Sequence, residues 1–274
     1  ILIFANYDKD AEDIWHLTTL KRSYSPNRKS FGSYHFHWFL NSQLNNLLHE
    51  FDLNIGGNLS AQSLIPKEDK HKYLVNSIME EAIASSQIEG AVTSRRLAKE
   101  MLRKNTPPKT KSEQMIFNNY QTIQRILEIK HEPLTEKNLL EIHLLVTKGT
   151  MQKSEEGAFR KTDDIHVVDT EDGSVVHTPP FANTLPVLMQ ELYDFFNKES
   201  ETPFIHPIVM ASVIHFMIGF IHPFPDGNGR TARAVFYWYL IKKGYWLIEY
   251  MSISRLILRS KAQYARAYQY SEID

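Results

Sequence analysis

His222-Pro-Phe-Pro-Asp-Gly-Asn-Gly-Arg-Thr-Ala-Arg233 lies between two apolar runs, Ile208 to Ile221 and Ala234 to Ile241, and its reading decides the fold. The pattern predicts a buried helix, a tight loop and a second buried helix. A Gly-rich turn that opens a helix leaves backbone N–H groups pointing outward with partial positive charge behind them, which makes a seat for an anion. Gly227 and Gly229 allow positive φ and close approach of a ligand. Asn228 can add an amide donor, and Arg230 and Arg233, three apart, share one face of the new helix. Asp226 is a hard-oxygen ligand suited to Mg²⁺ shared with a phosphate. His222 is the one side chain of the loop whose ordinary pKa suits a general base near neutrality, although a histidine here could also simply end a helix. Phosphates, a metal and a base together suggest phosphoryl or nucleotidyl transfer.

Two other phosphate or metal loops fail on spacing. An EF-hand loop would not place Arg230 two positions after Asn228, and a Walker A loop needs a Gly-Lys-Ser/Thr that does not follow. The segment resembles the signature of the Fic-domain family, His-x-Phe-x-(Asp/Glu)-Gly-Asn-Gly-Arg-x-x-Arg. It matches at His222, Phe224, Asp226, Gly227, Asn228, Gly229, Arg230 and Arg233. The resemblance implies a mainly α fold: a Fic-type helical bundle with one β-hairpin flap, plus an N-terminal helical region. It also implies an enzyme that moves AMP from ATP onto a hydroxyl side chain of a target protein. His222 would be the base and Asp226 the Mg²⁺ ligand. Gly227 to Gly229 would cradle the phosphates, while Arg230 and Arg233 neutralise developing charge. Phe224 is expected to anchor the loop in the core.

Upstream, Ile65-Pro-Lys-Glu-Asp-Lys starts a helix, with Pro66 in its first turn, that runs through Glu89 and stops at Gly90, a glycine suited to a C-terminal cap. An acid in the last turn opposes the helix dipole, so Glu89 makes sense if a cation elsewhere pairs with it. Ser85, Glu89 and Gly90 match a second motif of the same family, Ser/Thr-x-x-x-Glu-Gly/Asn. In relatives this helix is inhibitory, and its Glu pairs with the second arginine of the signature, here Arg233. Tyr264 and Tyr268, four apart near the C-terminus, make an aromatic face that the resemblance places at an adenine pocket and that ordinary packing explains equally well.

The rest of the chain is read from periodicity. Residues 1 to about 30 are expected to form a loose arm, and 35 to 51 a helix through Phe36, Leu40, Leu44, Leu47, Leu48 and Phe51. His35 and His37 would point to different sides of that helix, which disfavours a metal site. Asn105-Thr-Pro-Pro-Lys-Thr-Lys-Ser is the candidate boundary between an N-terminal helical region (1–108, inhibitory helix about 68–90) and a catalytic domain (109–274). Further helices are expected over 115–129, from a Thr135 cap (with His143 as a satisfied core histidine), over 184–197 and from Ile253 to Tyr270. Ile165 to Asp169 and Ser174 to Thr178 flank an Asp-Gly turn and predict a hairpin, the flap (about 163–180). The resemblance makes this hairpin the dock for an extended target segment.

With 274 residues, 42% of them hydrophobic, the chain can bury a large core. Its net charge of −1 gives no general attraction to nucleic acid or anionic lipid, and the absence of cysteine excludes disulfides and thiol nucleophiles. No run of about 18 apolar residues predicts a membrane span. The N-terminus lacks the marks of a signal peptide, so a cytoplasmic, trimmed chain is expected. Expected partners are ATP and an unidentified target protein, with a homodimer left open. Two other readings remain: a family member that removes AMP or transfers UMP, phosphocholine or phosphate, and a nucleotide-sensing regulator that is not an enzyme.

Overall fold

The computed structural model describes residues 8–24, 27–56, 67–168, 173–198 and 204–273. Helices α1 (Asp8–Ser23), α2 (Ser42–Phe51), α3 (Lys67–Ile88), α4 (Arg95–Lys104), α5 (Lys111–Ile129) and α6 (Glu136–Thr147) come first in the chain. They are followed by α7 (Leu185–Asn197), α8 (Pro207–Ile221), α9 (Asn228–Lys242), α10 (Ile253–Arg259) and α11 (Lys261–Ile273). Two small antiparallel hairpins interrupt them, β1 (Arg28–Phe31) with β2 (Tyr34–His37), and β3 (Val167–Val168) with β4 (Val175–His177). None of the helices among the described residues is long and apolar enough to cross a membrane.

The core forms around α8, apolar on nearly every side, and the apolar run Ala234 to Ile241 of α9, which therefore must be surrounded. Ile214, Met217, Ile218 and Ile221 of α8 and Val235, Trp238 and Tyr239 of α9 are wholly buried. Around them pack Leu188, Leu192 and Phe196 of α7, Leu139, Ile142 and Val146 of α6, and Ile123 and Ile126 of α5. Ile78 and Ala82 of α3 join the same cluster, so α3 is seated in the core that carries the signature loop. Local signals set the ends. Pro207 occupies the first turn of α8, whose cap His206 accepts from the Ile208 N–H, and Thr135 accepts from the Asn138 N–H to start α6. At the end of α3, the Ala91 N–H reaches Ser86 O and the Gly90 N–H reaches Gln87 O, with Gly90 at φ +89. That is a Schellman cap, and it fixes the last turn, which carries Glu89.

Five expectations need correction. The N-terminal arm contains helix α1, consistent with a stretch free of Gly and Pro that has acids in its first turns and Lys21 and Arg22 in its last. The helix expected over 35–51 exists only from Ser42, with Asn41 as its cap. Residues 34–37 are instead strand β2, so His35 and His37 lie on one face rather than two. Phe31-Gly32-Ser33-Tyr34 makes the turn, with Gly32 at φ +56, and Phe31 inserts edge-on against Phe195 and Phe36 in the core. The flap is therefore not the one hairpin of the fold. The last helix breaks at Ser260 (φ −132, ψ 37) into α10 and α11. The flap hairpin is present but shorter than its sequence suggests, pairing Val167 with His177 and Val168 with Val175. Most of its turn, like Pro66, lies outside the described residues.

Candidate active site

The loop between α8 and α9 is held by side chains that meet it from three directions. His222 caps α8 in the left-handed region (φ 47, ψ 57), a conformation that costs a non-glycine residue about 1–2 kcal/mol. Phe224 is wholly buried, stacked on the His143 ring at 3.8 Å and on Phe159 at 5.4 Å. Asn228 staples it from both sides, its Oδ1 accepting from the Phe224 N–H (2.9 Å) and its Nδ2 donating to the Phe224 carbonyl (2.7 Å). His143 Nε2–H donates to the Asp226 carbonyl (2.8 Å), while Nδ1 accepts from the Gly157 N–H (3.0 Å). Burial pushes the His143 pKa down to about 4, so the ring stays neutral in this tautomer. Arg160 is buried as well: its Nε donates to the His222 carbonyl (2.8 Å) and its Nη2 to Pro180 O at the end of the flap.

Gly227 takes φ +83 against Thr147 Cγ2, which would lie 2.7 Å from any Cβ, so only glycine fits there. Helix α9 then begins, its first intrahelical bond running from the Thr231 N–H to Gly227 O. The N–H groups that open it have no intrahelical acceptor and make a candidate anion seat. Gly229 has ordinary helical φ, and its value is space: a Cβ would collide with Glu89 Oε1. Glu89 therefore lies over the start of α9. Arg233, 5% exposed, donates from Nη2 to Glu89 Oε1 (2.8 Å) and Ser85 O (3.0 Å), and from Nε to Ser85 Oγ (2.9 Å). At the seat's other end, His222 Nδ1 faces the Gly219 carbonyl at 3.2 Å. A proton on Nδ1 leaves Nε2 with its lone pair. Burial above all lowers the His222 pKa, and His177 and Arg160 lower it further.

Two residues expected at the phosphates have partners inside the protein. The Asn228 amide oxygen and one of its N–H groups are held by the Phe224 backbone, so this side chain serves first to fix the loop. Arg230, 2% exposed, donates from Nη1 to Val146 O (3.0 Å) at the end of α6 and from Nη2 to Asp226 Oδ2 at 3.5 Å. It braces the loop. Asp226 has a half-exposed side chain whose Oδ1 accepts from the Gly227 N–H (2.5 Å), so a carboxylate edge faces outward at the lip of the seat. Among the described residues no group of three His, Cys, Asp or Glu side chains could hold a metal. One carboxylate supplemented by phosphate oxygens suits Mg²⁺, which is held by few protein ligands. Tyr264 and Tyr268 line a cavity of about 310 Å³ together with Arg233, His215 and Phe236. There the Tyr264 hydroxyl meets His215 Nε2 at 2.6 Å, and the Tyr268 hydroxyl donates to His215 O at 3.2 Å.

The Fic/DOC family model matches residues 133–240, the span from the approach to α6 through most of α9. Residues 133–240 are thus similar to a Fic domain. Over this region the chain is 37% identical across 112 residues to a protein named protein adenylyltransferase Fic from Drosophila willistoni, covering 41% of this chain and 20% of that one. It is 36% identical across 123 residues to its namesake from Culex quinquefasciatus, covering 45% and 23%. The chain thus spans about a fifth of the length of these curated relatives. Among solved structures, a Fic family protein from Desulfovibrio desulfuricans G20 superposes with a TM-score of 0.69 at 24% identity, covering 87% of this chain and 69% of that one. Fic-1 of C. elegans superposes with a TM-score of 0.59 at 18% identity, covering 89% and 65%. These likenesses show a shared fold. Helices α3, α10 and α11, with Glu89, Tyr264 and Tyr268, lie outside the Fic domain match. Phe159 and Arg160 carry no sequence signal for holding the signature loop, and His143 reads there only as a satisfied core histidine, because each acts on a partner more than 60 residues away.

Proposed function

We propose that this chain transfers AMP from ATP to a Ser, Thr or Tyr hydroxyl of a target protein, and that Glu89 restrains the transfer. One observation carries the reading: a carboxylate of the chain's own Glu89 already lies at the start of α9 and on Arg233, where a phosphate oxygen of a nucleotide would sit. The names of the relatives, protein adenylyltransferase Fic, fit the same chemistry.

His222 Nε2 takes the proton of the target hydroxyl as its oxygen attacks the α-phosphorus in line. The new O–P bond forms as the bond to the bridging oxygen breaks, and pyrophosphate leaves. The N–H groups that open α9 receive the phosphate oxygens, and Arg233 neutralises the charge that develops once Glu89 has withdrawn. Asp226 would hold Mg²⁺, which supplies further charge neutralisation on the phosphates when bound. The aromatic cavity beside Arg233 would take the adenine, and the flap strands Val167–Val168 and Val175–His177 offer an edge on which an extended target segment can lie beside His222. The site needs no nucleic acid or membrane.

ATP labelled at the α-phosphate tests this. The Glu89→Gly form should incorporate the label into itself or a target far faster than the wild type, the Glu89→Gly/His222→Ala form should not, and γ-labelled ATP should label nothing. Incorporation from the γ-position alone, or labelling that persists without His222, would overturn the reading.

A further inference from the structure

Glu81 is 5% exposed and has no place in the mechanism above. A buried carboxylate is costly unless every oxygen is engaged. This one accepts from Ser252 Oγ (3.0 Å) and the Ser254 N–H (2.9 Å) through Oε2, and from Ser254 Oγ through Oε1. All three donors come from the start of α10, where Ser252 Oγ also caps the helix by accepting from the Arg255 N–H (3.2 Å).

On α3, Glu81, Ser85 and Glu89 follow at intervals of four and make one stripe. Its upper members grip Arg233 and its lowest grips α10. Glu81 and Ser254 line the same cavity as Arg233, Tyr264 and Tyr268. The strap formed by α10 and α11 thus covers that cavity with one end on Glu81 and the other on His215, through the two tyrosine hydroxyls. The strap lies outside the matched Fic domain. Among the described residues, none of the apolar side chains of α10 and α11 is fully buried, whereas Ser254 is, so the polar attachments share the positioning of the strap with the packing of Ile253 and Tyr268 and with the Glu272–His177 pair.

We propose that Glu81 is a positioning residue for the nucleotide site: through Ser252 and Ser254 it fixes the α10–α11 strap over the cavity beside Arg233, and so sets how tightly the base half of the nucleotide is held. This rests on the AMP-transfer reading above. An amide replaces the carboxylate only in part: with its oxygen at the Oε2 position its NH₂ faces Ser254 Oγ, which must turn from donor to acceptor, and the charge that strengthens all three hydrogen bonds is lost.

The test compares Glu89→Gly with Glu89→Gly/Glu81→Gln, measuring KM and kcat for ATP and inhibition by inorganic tripolyphosphate, which has phosphates and no base. KM for ATP should rise about tenfold, the scale of one lost hydrogen bond to a charged group, with kcat within about twofold. Tripolyphosphate should inhibit both forms equally. Ser254→Ala, which keeps the backbone donor, should raise KM by a smaller factor and serves if the Gln form does not fold. An unchanged KM in both variants, a fall in kcat at constant KM, or parallel weakening of ATP and tripolyphosphate would overturn the proposal. Failure of the Glu89→Gly parent to use ATP at all would instead overturn the reading beneath it.

Discussion

His222 sits in a backbone conformation that costs it stability, with one ring nitrogen tied to the carbonyl three residues back and the other left with a lone pair. Burial is the first cause of its lowered pKa, and the Glu89 carboxylate works in the opposite direction. A base must be unprotonated, so the acid limb of kcat/KM should lie below the ordinary histidine value. Glu89→Gly and Glu89→Gln both remove the charge that raises the pKa, so both should place the limb at the same pH, below that of the wild type. A pH series on the three proteins decides it, and a gap between the two variants would show that volume rather than charge sets the limb. Gly229 supports a second prediction. A methyl group there would overlap Glu89 Oε1 and lie 3.2 Å from Arg233 Nη1. The Gly229→Ala protein should lose the Glu89 contact yet stay inactive, because the same methyl fills the phosphate seat. Adding Gly229→Ala to Glu89→Gly should cut labelling at least tenfold, and equal labelling of the two would show that the glycine is not needed for close approach.

At the scale of elements, α3 is a buried helix whose last turn carries the group that fills the seat. Ile78, Met79, Ala82 and Ile83 are buried against α5 and its neighbours, and Ser86 Oγ accepts from Asn119 Nδ2 (2.8 Å). The turn beyond depends on Gly90, at φ +89, where a methyl group would meet open space, with no atom within 4 Å. Gly90→Ala therefore meets no clash and only the conformational penalty of about 1 kcal/mol, lowering Tm by roughly 2–4 °C. Basal labelling should rise as the last turn loosens, measurable with α-labelled ATP; a lower Tm with unchanged labelling would separate the cap from the restraint. The elements themselves were legible wherever a strong local period or cap wrote them. Leu185, Leu188, Leu192, Phe195 and Phe196 of α7 are buried as their spacing predicts, and Thr135 caps α6. The pairing of Glu89 with Arg233 was reachable only through a motif, since 144 residues separate them. The hairpin β1–β2 was obscured because Phe36, Leu40 and Leu44 also satisfy a helical period, although Gly32-Ser33 was a usable turn signal. The break at Ser260 had none: no Gly or Pro marks it, and the two halves are held by Glu81 on one side and His215 on the other.

For the whole molecule, the same buried histidines that position the site make the fold sensitive to acid. His143 has a pKa of about 4 in the folded chain, lowered chiefly by burial, against an ordinary value of 6.5. His215, between Tyr264 and the core, is likewise lowered to about 4. Above pH 6.5 both rings are neutral whether the chain is folded or not, and they make no difference to stability. As the pH falls from 6.5 to 4, the unfolded chain takes up protons that the folded chain refuses, so folding weakens throughout that window and the loss levels off below 4. A shift of this size corresponds to roughly 3 kcal/mol for His143 at the acid end, a large fraction of a typical domain's stability. Urea unfolding midpoints measured between pH 7 and 4 should therefore fall steeply. His143→Gln keeps a carbamoyl group near the Asp226 carbonyl without a titrating ring; it should be less stable than the wild type at pH 7 and show a shallower decline toward pH 4. A parallel decline in the two proteins would mean that other groups govern the acid limit, and that the ring under Phe224 does not carry the linkage assigned to it.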